Sequence, residues 1–111
     1  MDFDNDRLLL ARATLSDLVE ALRLTHFDNS PVLFLTRLEA IRETAKIQRF
    51  DAVAEIAASF EDAMQRVIRR GGAESVIESY LEILREAIGC SNLDAVIAES
   101  LLASVAIRLR A

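Results

Sequence analysis

The residue types that most often carry out chemistry are scarce in this chain. It contains one histidine, His26, and one cysteine, Cys90, among 111 residues. A single residue of each type cannot build a typical zinc site, so we expect no bound metal. No glycine-rich phosphate-binding loop and no nucleophile elbow occur in the sequence. The sequence therefore predicts a protein that has no cofactor and is not an enzyme.

The sole cysteine gives information about the cellular compartment of the protein rather than about a reaction. Cys90 lies between Gly89 and Ser91 with no histidine near it in the sequence, so we expect a small packed residue there. One cysteine cannot form an internal disulfide, which agrees with a reducing compartment. Residues 1–6 are acidic where a secretory signal would be basic. We therefore expect a cytoplasmic protein.

Four charged residues share one stretch of a predicted helix: Glu39, Arg42, Glu43 and Lys46. Glu39 and Arg42 are three residues apart, as are Glu43 and Lys46, so each pair can form an ion pair on the helix surface. Such pairs are typical of a solvated helix face and stabilise by roughly a few tenths of a kcal/mol. The alternative is that these side chains, together with Leu35, form a surface that binds a partner protein.

A second charged cluster precedes two glycines. Arg66, Arg69 and Arg70 come just before Gly71 and Gly72. Cations in the last turn of a helix interact favourably with its dipole, and glycine readily adopts the left-handed conformation that ends many helices. We therefore expect a helix end here, and a site for an anion or an acidic partner is the alternative.

The composition predicts an all-helical protein. Hydrophobic residues make up 52% of the chain and charged residues 28%, which is typical of a folded domain. Only three Gly and one Pro are available for turns, so the chain must form a few long elements with short connections. The apolar residues recur at helical spacing. We expect a single domain over residues 1–111, because a chain of this length buries one core.

The charge balance excludes some partners. The formal net charge is −5, whereas binding to nucleic acid phosphates requires a basic surface. No apolar run approaches the ~20 residues that a helix needs to cross a bilayer. We therefore expect neither nucleic acid nor a membrane as a partner.

Apolar stripes and helix-end signals predict five helices. The first begins within residues 4–6, where Asp and Asn side chains can cap free amide groups, and ends before residues 26–31. Residues 14–17 form a second possible capping box, which predicts a late start or a kink. The inward residues are expected to be Leu8, Ala11, Leu15, Leu18 and Leu22.

The second helix has the clearest start signal, with Ser30 as the N-cap and Pro31 at the first helical position. It runs to about Gln48. Its inward residues are expected to be Phe34, Leu38, Ile41 and Ala45. The third helix begins with Asp51 as its cap and ends at Arg70. Its core residues are expected to be Val53, Ile56, Phe60, Ala63 and Val67.

The fourth helix stops at Gly89, and residues 91–94 form a capping box for the fifth, which runs nearly to the end of the sequence. The inward residues of the fourth are expected to be Val76, Ile77, Tyr80, Leu81, Leu84 and Ile88. Long helices joined by short loops make neighbours antiparallel. The predicted fold is therefore all-α, an antiparallel four-helix bundle with an additional N-terminal helix.

The fifth helix is apolar over more than one face. A helix of this kind is either central or covered by something else. One explanation is a homodimer contact, and the other is a helix that packs in a deep groove. The possible dimer face consists of Val96, Leu102, Ala106 and Leu109.

The segment IRETAKIQRFDAVAEIAASFEDA, which begins at Ile41, is similar to the centre of a known family. Histidine-containing phosphotransfer (HPt) domains have a helix with His-x-x-Lys-Gly-[Ser/Thr]-Ala, a short turn that ends in Gly-Phe or Gly-Leu, and a helix with Leu-Ala…Leu-Glu-Asp. They carry phosphoryl groups between histidine kinases and response regulators. The resemblance covers residues 38–67 without a gap and implies the same helical bundle. The matching residues are Thr44, Ala45, Phe50, Ile56, Ala57, Phe60, Glu61 and Asp62.

The departures from the HPt pattern fall where its chemistry takes place. Glu39 occupies the position of the phospho-accepting histidine, Arg42 that of the lysine and Glu43 that of the glycine. Arg49 replaces the turn glycine before Phe50. An imidazole nitrogen is nucleophilic at neutral pH and forms a labile phosphoramidate, which a glutamate on a helix face does not replace. The resemblance thus implies an HPt fold with a vacated phosphoacceptor position.

Two functions are compatible with these observations. In the first, the chain binds the receiver domain of a response regulator, or a histidine kinase, without carrying phosphate. In the second, it is a dimerising structural or assembly module with no phosphorelay role. A coincidental match is a third possibility, because helices rich in Ala, Glu and Leu resemble one another. His26 has no lysine or glycine at the family spacing, so we expect a loop residue, with a phosphoacceptor role as the alternative.

Overall fold

The described residues of a computed structural model of the chain form five helices. The structure describes the backbone of residues 3–89 and 95–110 and the side chains of residues 6–89 and 101–109. These residues contain no strand, so the predicted all-α class is confirmed. None of the described helices is long and apolar enough to cross a membrane. The helices are α1 (Phe3–Arg23), α2 (Pro31–Ile47), α3 (Asp51–Arg70), α4 (Ala73–Gly89) and α5 (Ala95–Arg110).

The ends of α2 and α3 follow the sequence signals with one correction. Pro31 is the first residue of α2 and Ser30 is its N-cap, although the Ser30 side chain makes no capping hydrogen bond. The prediction that Asp51 caps α3 is wrong, because Phe50 is the N-cap and Asp51 is the first helical residue. A carboxylate there still interacts favourably with the helix dipole. Gly71 ends α3 as predicted, with a φ of 82° that suits glycine.

The helix α1 is continuous from Phe3 to Arg23, so the predicted late start at residues 14–17 is wrong, whereas the alternative of a kink there stays a prediction. Thr14 Oγ1 donates a hydrogen bond to the carbonyl of Leu10 at 3.0 Å, which satisfies the hydroxyl within the helix. The predictions for Cys90 and for the capping box at residues 91–94 lie outside the described residues.

Four of the helices contact one another in a ring. Among the described residues, α1 and α3 each pack against both α2 and α4. The helix outside this ring is α5, which packs against α3 and α4. The prediction that the additional helix is the N-terminal one is therefore wrong. The helix α1 completes the ring because the residues along one of its sides are buried. Each of these residues is at most 4% exposed, namely Ala11, Leu15, Val19 and Leu22.

The helices α1 and α2 run in opposite directions. Near the start of α1, Arg7 Nη1 donates to Gln48 Oε1 beyond the end of α2, at 3.4 Å. Near the end of α1, Arg37 Nη1 donates to the carbonyl of Ala21 at 3.2 Å and to the hydroxyl of Thr25. The carbonyls in the last turn of a helix lack intrahelical partners, and that of Ala21 accepts hydrogen bonds from both Arg37 and the Thr25 hydroxyl, the latter at 2.8 Å.

Aromatic rings connect the centres of three helices. The ring of Phe34 on α2 lies 5.4 Å from that of Phe27 and 5.9 Å from that of Phe60, both edge to face. Phe60 on α3 also stacks on Tyr80 of α4 at 4.9 Å. Offset-stacked and edge-to-face pairs add stability beyond the burial of their area. This series of rings fixes α2, α3 and α4 relative to one another at one level of the core.

The buried residues are not limited to the apolar stripes that the sequence predicts. All four inward residues expected on α2 are buried. Since α3 and α4 each contact three other helices, they bury more than one stripe. Expected core residues that are only half-buried are Leu8, Leu18, Ala63, Val67 and Ile77. Buried residues of α1, α3 and α4 that the stripes did not include are Val19, Ala52, Ala57, Met64, Ile83 and Ala87.

Candidate partner-binding site on α2

The predicted partner-binding residues lie along one side of α2. Each of them has another member of the set three or four residues away, and only Arg42 and Glu43 are adjacent, which places the set along one side of a helix. Three of them are exposed, namely Glu39, Glu43 and Lys46, whereas Leu35 and Arg42 are half-buried. We refer to these five residues as the α2 surface.

Arg42 joins the α2 surface to α3. Its Nε donates a hydrogen bond to Glu61 Oε1, and its Nη1 donates to Glu43 Oε1 at 2.9 Å. The side chains of Arg42 and Glu61 are 24% and 25% exposed, so their hydrogen bond is partly shielded from water. This bond to Glu61 raises the pKa of Arg42 above its usual value. A partner's anion could engage Arg42 only by displacing one of these carboxylates.

The ion pairs expected along α2 do not form. In the described part of the chain, Glu39 does not pair with Arg42, nor Glu43 with Lys46. Arg42 instead reaches Glu61, because a partly shielded charge-assisted hydrogen bond is stronger than an exposed ion pair. Helical spacing could not predict this partner, which is 19 residues away in the sequence. The only signal was that Glu61 belongs to the segment that resembles HPt domains.

Glu39 is exposed in the middle of α2, between the fully buried residues Leu38 and Ile41. It makes no hydrogen bond or ion pair with another described residue. The rigid core beneath the helix therefore presents position 39 outward, where a partner can approach it. No described side chain is placed to activate this carboxylate, so the geometry supports a contact residue rather than a reacting group.

The α2–α3 turn places Arg49 next to the α2 surface. Its φ of 63° makes Arg49 the only non-glycine residue with positive φ among the described residues. The N–H of Phe50 bonds to the carbonyl of Ala45 at 2.8 Å, and the N–H of Arg49 bonds to that of Lys46 at 3.2 Å. These two bonds define a Schellman motif, in which the left-handed position is usually glycine. Arg49 occupies that position.

His26 lies in the loop between α1 and α2, as expected. Its side chain is exposed, and its carbonyl accepts hydrogen bonds from the N–H groups of Asn29 at 3.2 Å and Ser30 at 3.0 Å. The imidazole borders a shallow cavity together with Glu74 and Glu78 of α4. The described residues contain no cluster that could hold a metal ion. A phosphoacceptor role for His26 stays an untested alternative.

The arginine cluster lies in the last turns of α3, as predicted. Arg66 forms an ion pair with Asp62 at 2.5 Å, and the hydrogen bond within this pair raises the pKa of Arg66. Arg69 and Arg70 are exposed in the last turn. Their charges suit the negative end of the helix dipole, which accounts for the cluster without a ligand.

The predicted dimer face on α5 is divided between the core and solvent. Leu102 is half-buried and packs against the core, whereas Ala106 is exposed and Leu109 is 39% exposed. The side chain of Val96 lies outside the described residues. Val105 is 1% exposed on a helix that packs against α3 and α4, so packing in a groove accounts for one side of α5.

Comparison of the chain with known protein families, curated proteins and solved structures finds no match.

Proposed function

We propose that this chain is a cytoplasmic HPt-like signalling protein that has lost phosphotransfer. In this proposal it binds the receiver domain of a response regulator, or a histidine kinase, through the α2 surface. The observation that carries the proposal is the exposure of Glu39 at the position that corresponds to the phosphoacceptor. A partner that docks there meets a carboxylate instead of an imidazole.

Two further features support the proposal. The contact ring of α1–α4 is compatible with the four-helix bundle that the resemblance implies, with the difference that the additional helix is α5 and not an N-terminal one. The left-handed residue before Phe50, which is Arg49, stands where the HPt pattern has its turn glycine. The backbone of this turn thus has the conformation that a glycine would adopt most easily.

A phosphotransfer assay tests the loss of chemistry. Radiolabelled phosphorylated kinase and receiver domains from the same organism are incubated with the wild type, Glu39→His and His26→Ala. We expect no label on the wild type and a gain of label on Glu39→His, because the new imidazole lies on an exposed helix face. Label on the wild type that disappears in His26→Ala would place the reactive histidine in the α1–α2 loop and contradict the proposal.

A binding assay tests the α2 surface itself. We expect Glu39→Ala to retain binding to the cognate receiver domain or kinase, because it removes one contact, whereas Glu39→Lys reverses the charge and should weaken it. Glu86→Lys is a matched control, since Glu86 is also exposed on a helix, α4. If the wild type binds no receiver domain and no kinase of its organism, the proposal is wrong.

The second candidate function is a dimerising assembly module. It is favoured by one observation on α5, where Ile107 is 69% and Leu109 is 39% exposed. Light scattering over a range of concentrations should then show a dimer, and Ile107→Glu should dissociate it. A wild-type protein that stays monomeric at every concentration would contradict this function.

A further inference from the structure

Arg49 has a positive φ, which the described part of the chain otherwise shows only at glycines. Among the described residues three have positive φ, and the other two are Gly71 and Gly72 at the end of α3. The left-handed conformation brings the Cβ of an L-residue close to its carbonyl oxygen, whereas glycine avoids this clash. A glycine would therefore suit the α2–α3 turn better than arginine does.

The side chain of Arg49 does not compensate for this strain within the fold. It is exposed and makes no hydrogen bond or ion pair with another described residue. The negative end of the α2 dipole attracts a cation, but Lys46 in the last turn already supplies one. Residues that break a local rule without an evident gain in stability are candidates for a functional role.

The charges around Arg49 indicate what such a role would be. Lys46 is exposed and has no ion-pair partner in the described part of the chain, whereas Arg42 is held by Glu43 and Glu61. Two unpaired cations therefore lie together at the C-terminal end of the α2 surface. The chain as a whole carries a net charge of −5, so an exposed pair of cations is a local exception to its overall charge.

We infer that Lys46 and Arg49 form a cationic end of the α2 surface that binds carboxylate groups on a partner protein. The inference rests on the proposed function and adds the chemistry and the orientation of the partner. An acidic patch of the partner is attracted to this end and repelled by Glu39 farther along α2, so the acidic patch lies over Lys46 and Arg49 while a basic part of the partner faces Glu39, and the partner docks in one direction. The guanidinium of Arg49 thus contributes to binding, whereas the strained turn lowers the stability of the folded state.

The test measures binding and thermal unfolding for matched variants of position 49. The probes are the purified receiver domains encoded by the same genome. Arg49→Gly removes both the charge and the strain, Arg49→Gln removes only the charge, and Arg49→Lys keeps both. Arg69→Gln is the control. Arg69 is also exposed, but it lies about 27 Å along the axis of α3 from Asp51, the first residue of that helix.

We expect Arg49→Gln and Arg49→Gly to weaken binding equally, by about threefold at low salt, as for other exposed charge pairs. The loss should shrink as the salt is raised from about 0.1 M to about 1 M, because the Debye length falls. Arg49→Lys and Arg69→Gln should bind like the wild type. Arg49→Gly should also unfold at a higher temperature than the wild type, so its weaker binding cannot come from a damaged fold.

The outcomes separate this inference from the proposed function. If the wild type binds a receiver domain and Arg49→Gln binds it equally well, the inference is wrong and the proposed function stands. Weakening by Arg49→Lys as strong as by Arg49→Gln also overturns the inference, because charge would not be the feature recognised. If the wild type binds none of the receiver domains, the inference is overturned, and if it also binds no kinase in the binding assay above, the proposed function is overturned as well.

Discussion

Arg42 and Glu61 connect α2 to α3 through a hydrogen bond from Arg42 Nε to Glu61 Oε1. Both side chains are about three-quarters buried, with exposures of 24% and 25%. The bond fixes the α2 surface relative to the neighbouring helix at the position where HPt domains have a lysine. It leaves Glu39 without an ion-pair partner among the described residues.

The Arg42–Glu61 pair should contribute measurably to stability. We expect a double-mutant cycle of Arg42→Ala and Glu61→Ala to give a coupling free energy of about 1 kcal/mol, because the charge-assisted bond is partly shielded from water. Urea unfolding of the wild type, both single variants and the double variant measures it. Arg66 and Asp62 form a control pair with exposures of 69% and 66%, for which a smaller coupling is expected. Equal coupling in the two pairs would contradict the prediction.

Arg49→Gly should raise the free energy of unfolding. The left-handed conformation costs an L-residue about 1–2 kcal/mol. Glycine removes this strain but loses about 0.5–1 kcal/mol of backbone entropy on folding, so the expected net gain is about 0.5 kcal/mol. Urea unfolding measures the change. Arg49→Ala keeps a Cβ and the strain, so it should show no gain, and a Gly variant no more stable than the Ala variant would refute the argument.

The helices themselves could be predicted from the sequence because their signals are local. The inward stripe of α2 and its start at Pro31 follow from helical spacing and from the fixed φ of proline. The end of α3 follows from two glycines after a basic turn. Asp51 was misassigned as a cap because Asp is favoured at the N-cap and also in the first turn, and Phe50 took the N-cap position.

The arrangement of the helices and the partner of Arg42 depend on long-range contacts that spacing does not encode. An apolar stripe predicts that a helix packs against something but does not identify the neighbour, so α1 was expected outside the bundle when α5 is the outer helix. Glu61 comes within reach of Arg42 only once α2 and α3 pack together. Helical spacing therefore predicts that the residues of the α2 surface share one side of the helix, but it does not predict which of them form ion pairs.

Tyr80 should make stability fall at alkaline pH. Burial raises the pKa of Tyr80 above its ordinary value of 10.0, with a further increase from the negative charge of Asp62 and an opposing decrease from Arg66. Between the unfolded and folded pKa values the folded state keeps a proton that the unfolded state releases. The contribution is therefore complete below pH 10.0 and is lost as the pH rises through the folded pKa.

The chain offers a clean measurement of this shift. It has one tyrosine and no tryptophan, so the ultraviolet absorbance of tyrosinate reports on Tyr80 alone. We expect a titration midpoint above 10.0 in the native protein and near 10.0 in urea. Tyr80→Phe keeps the ring that stacks on Phe60 and should reduce the loss of stability between neutral and alkaline pH. A native midpoint at or below the value in urea would show that the hydroxyl is not shielded.

Glu39→Ala should leave stability almost unchanged, within about 0.5 kcal/mol, as is usual for exposed positions without special contacts. The carboxylate is exposed, has no described partner, and faces a like charge at Glu43 four residues on. Urea unfolding measures the effect. Leu38→Ala is the contrasting control, because Leu38 is fully buried and its truncation should cost about 2–5 kcal/mol. A loss above about 1 kcal/mol for Glu39→Ala would assign Glu39 a structural role. It would then weaken the argument that this position is an exposed contact for a partner.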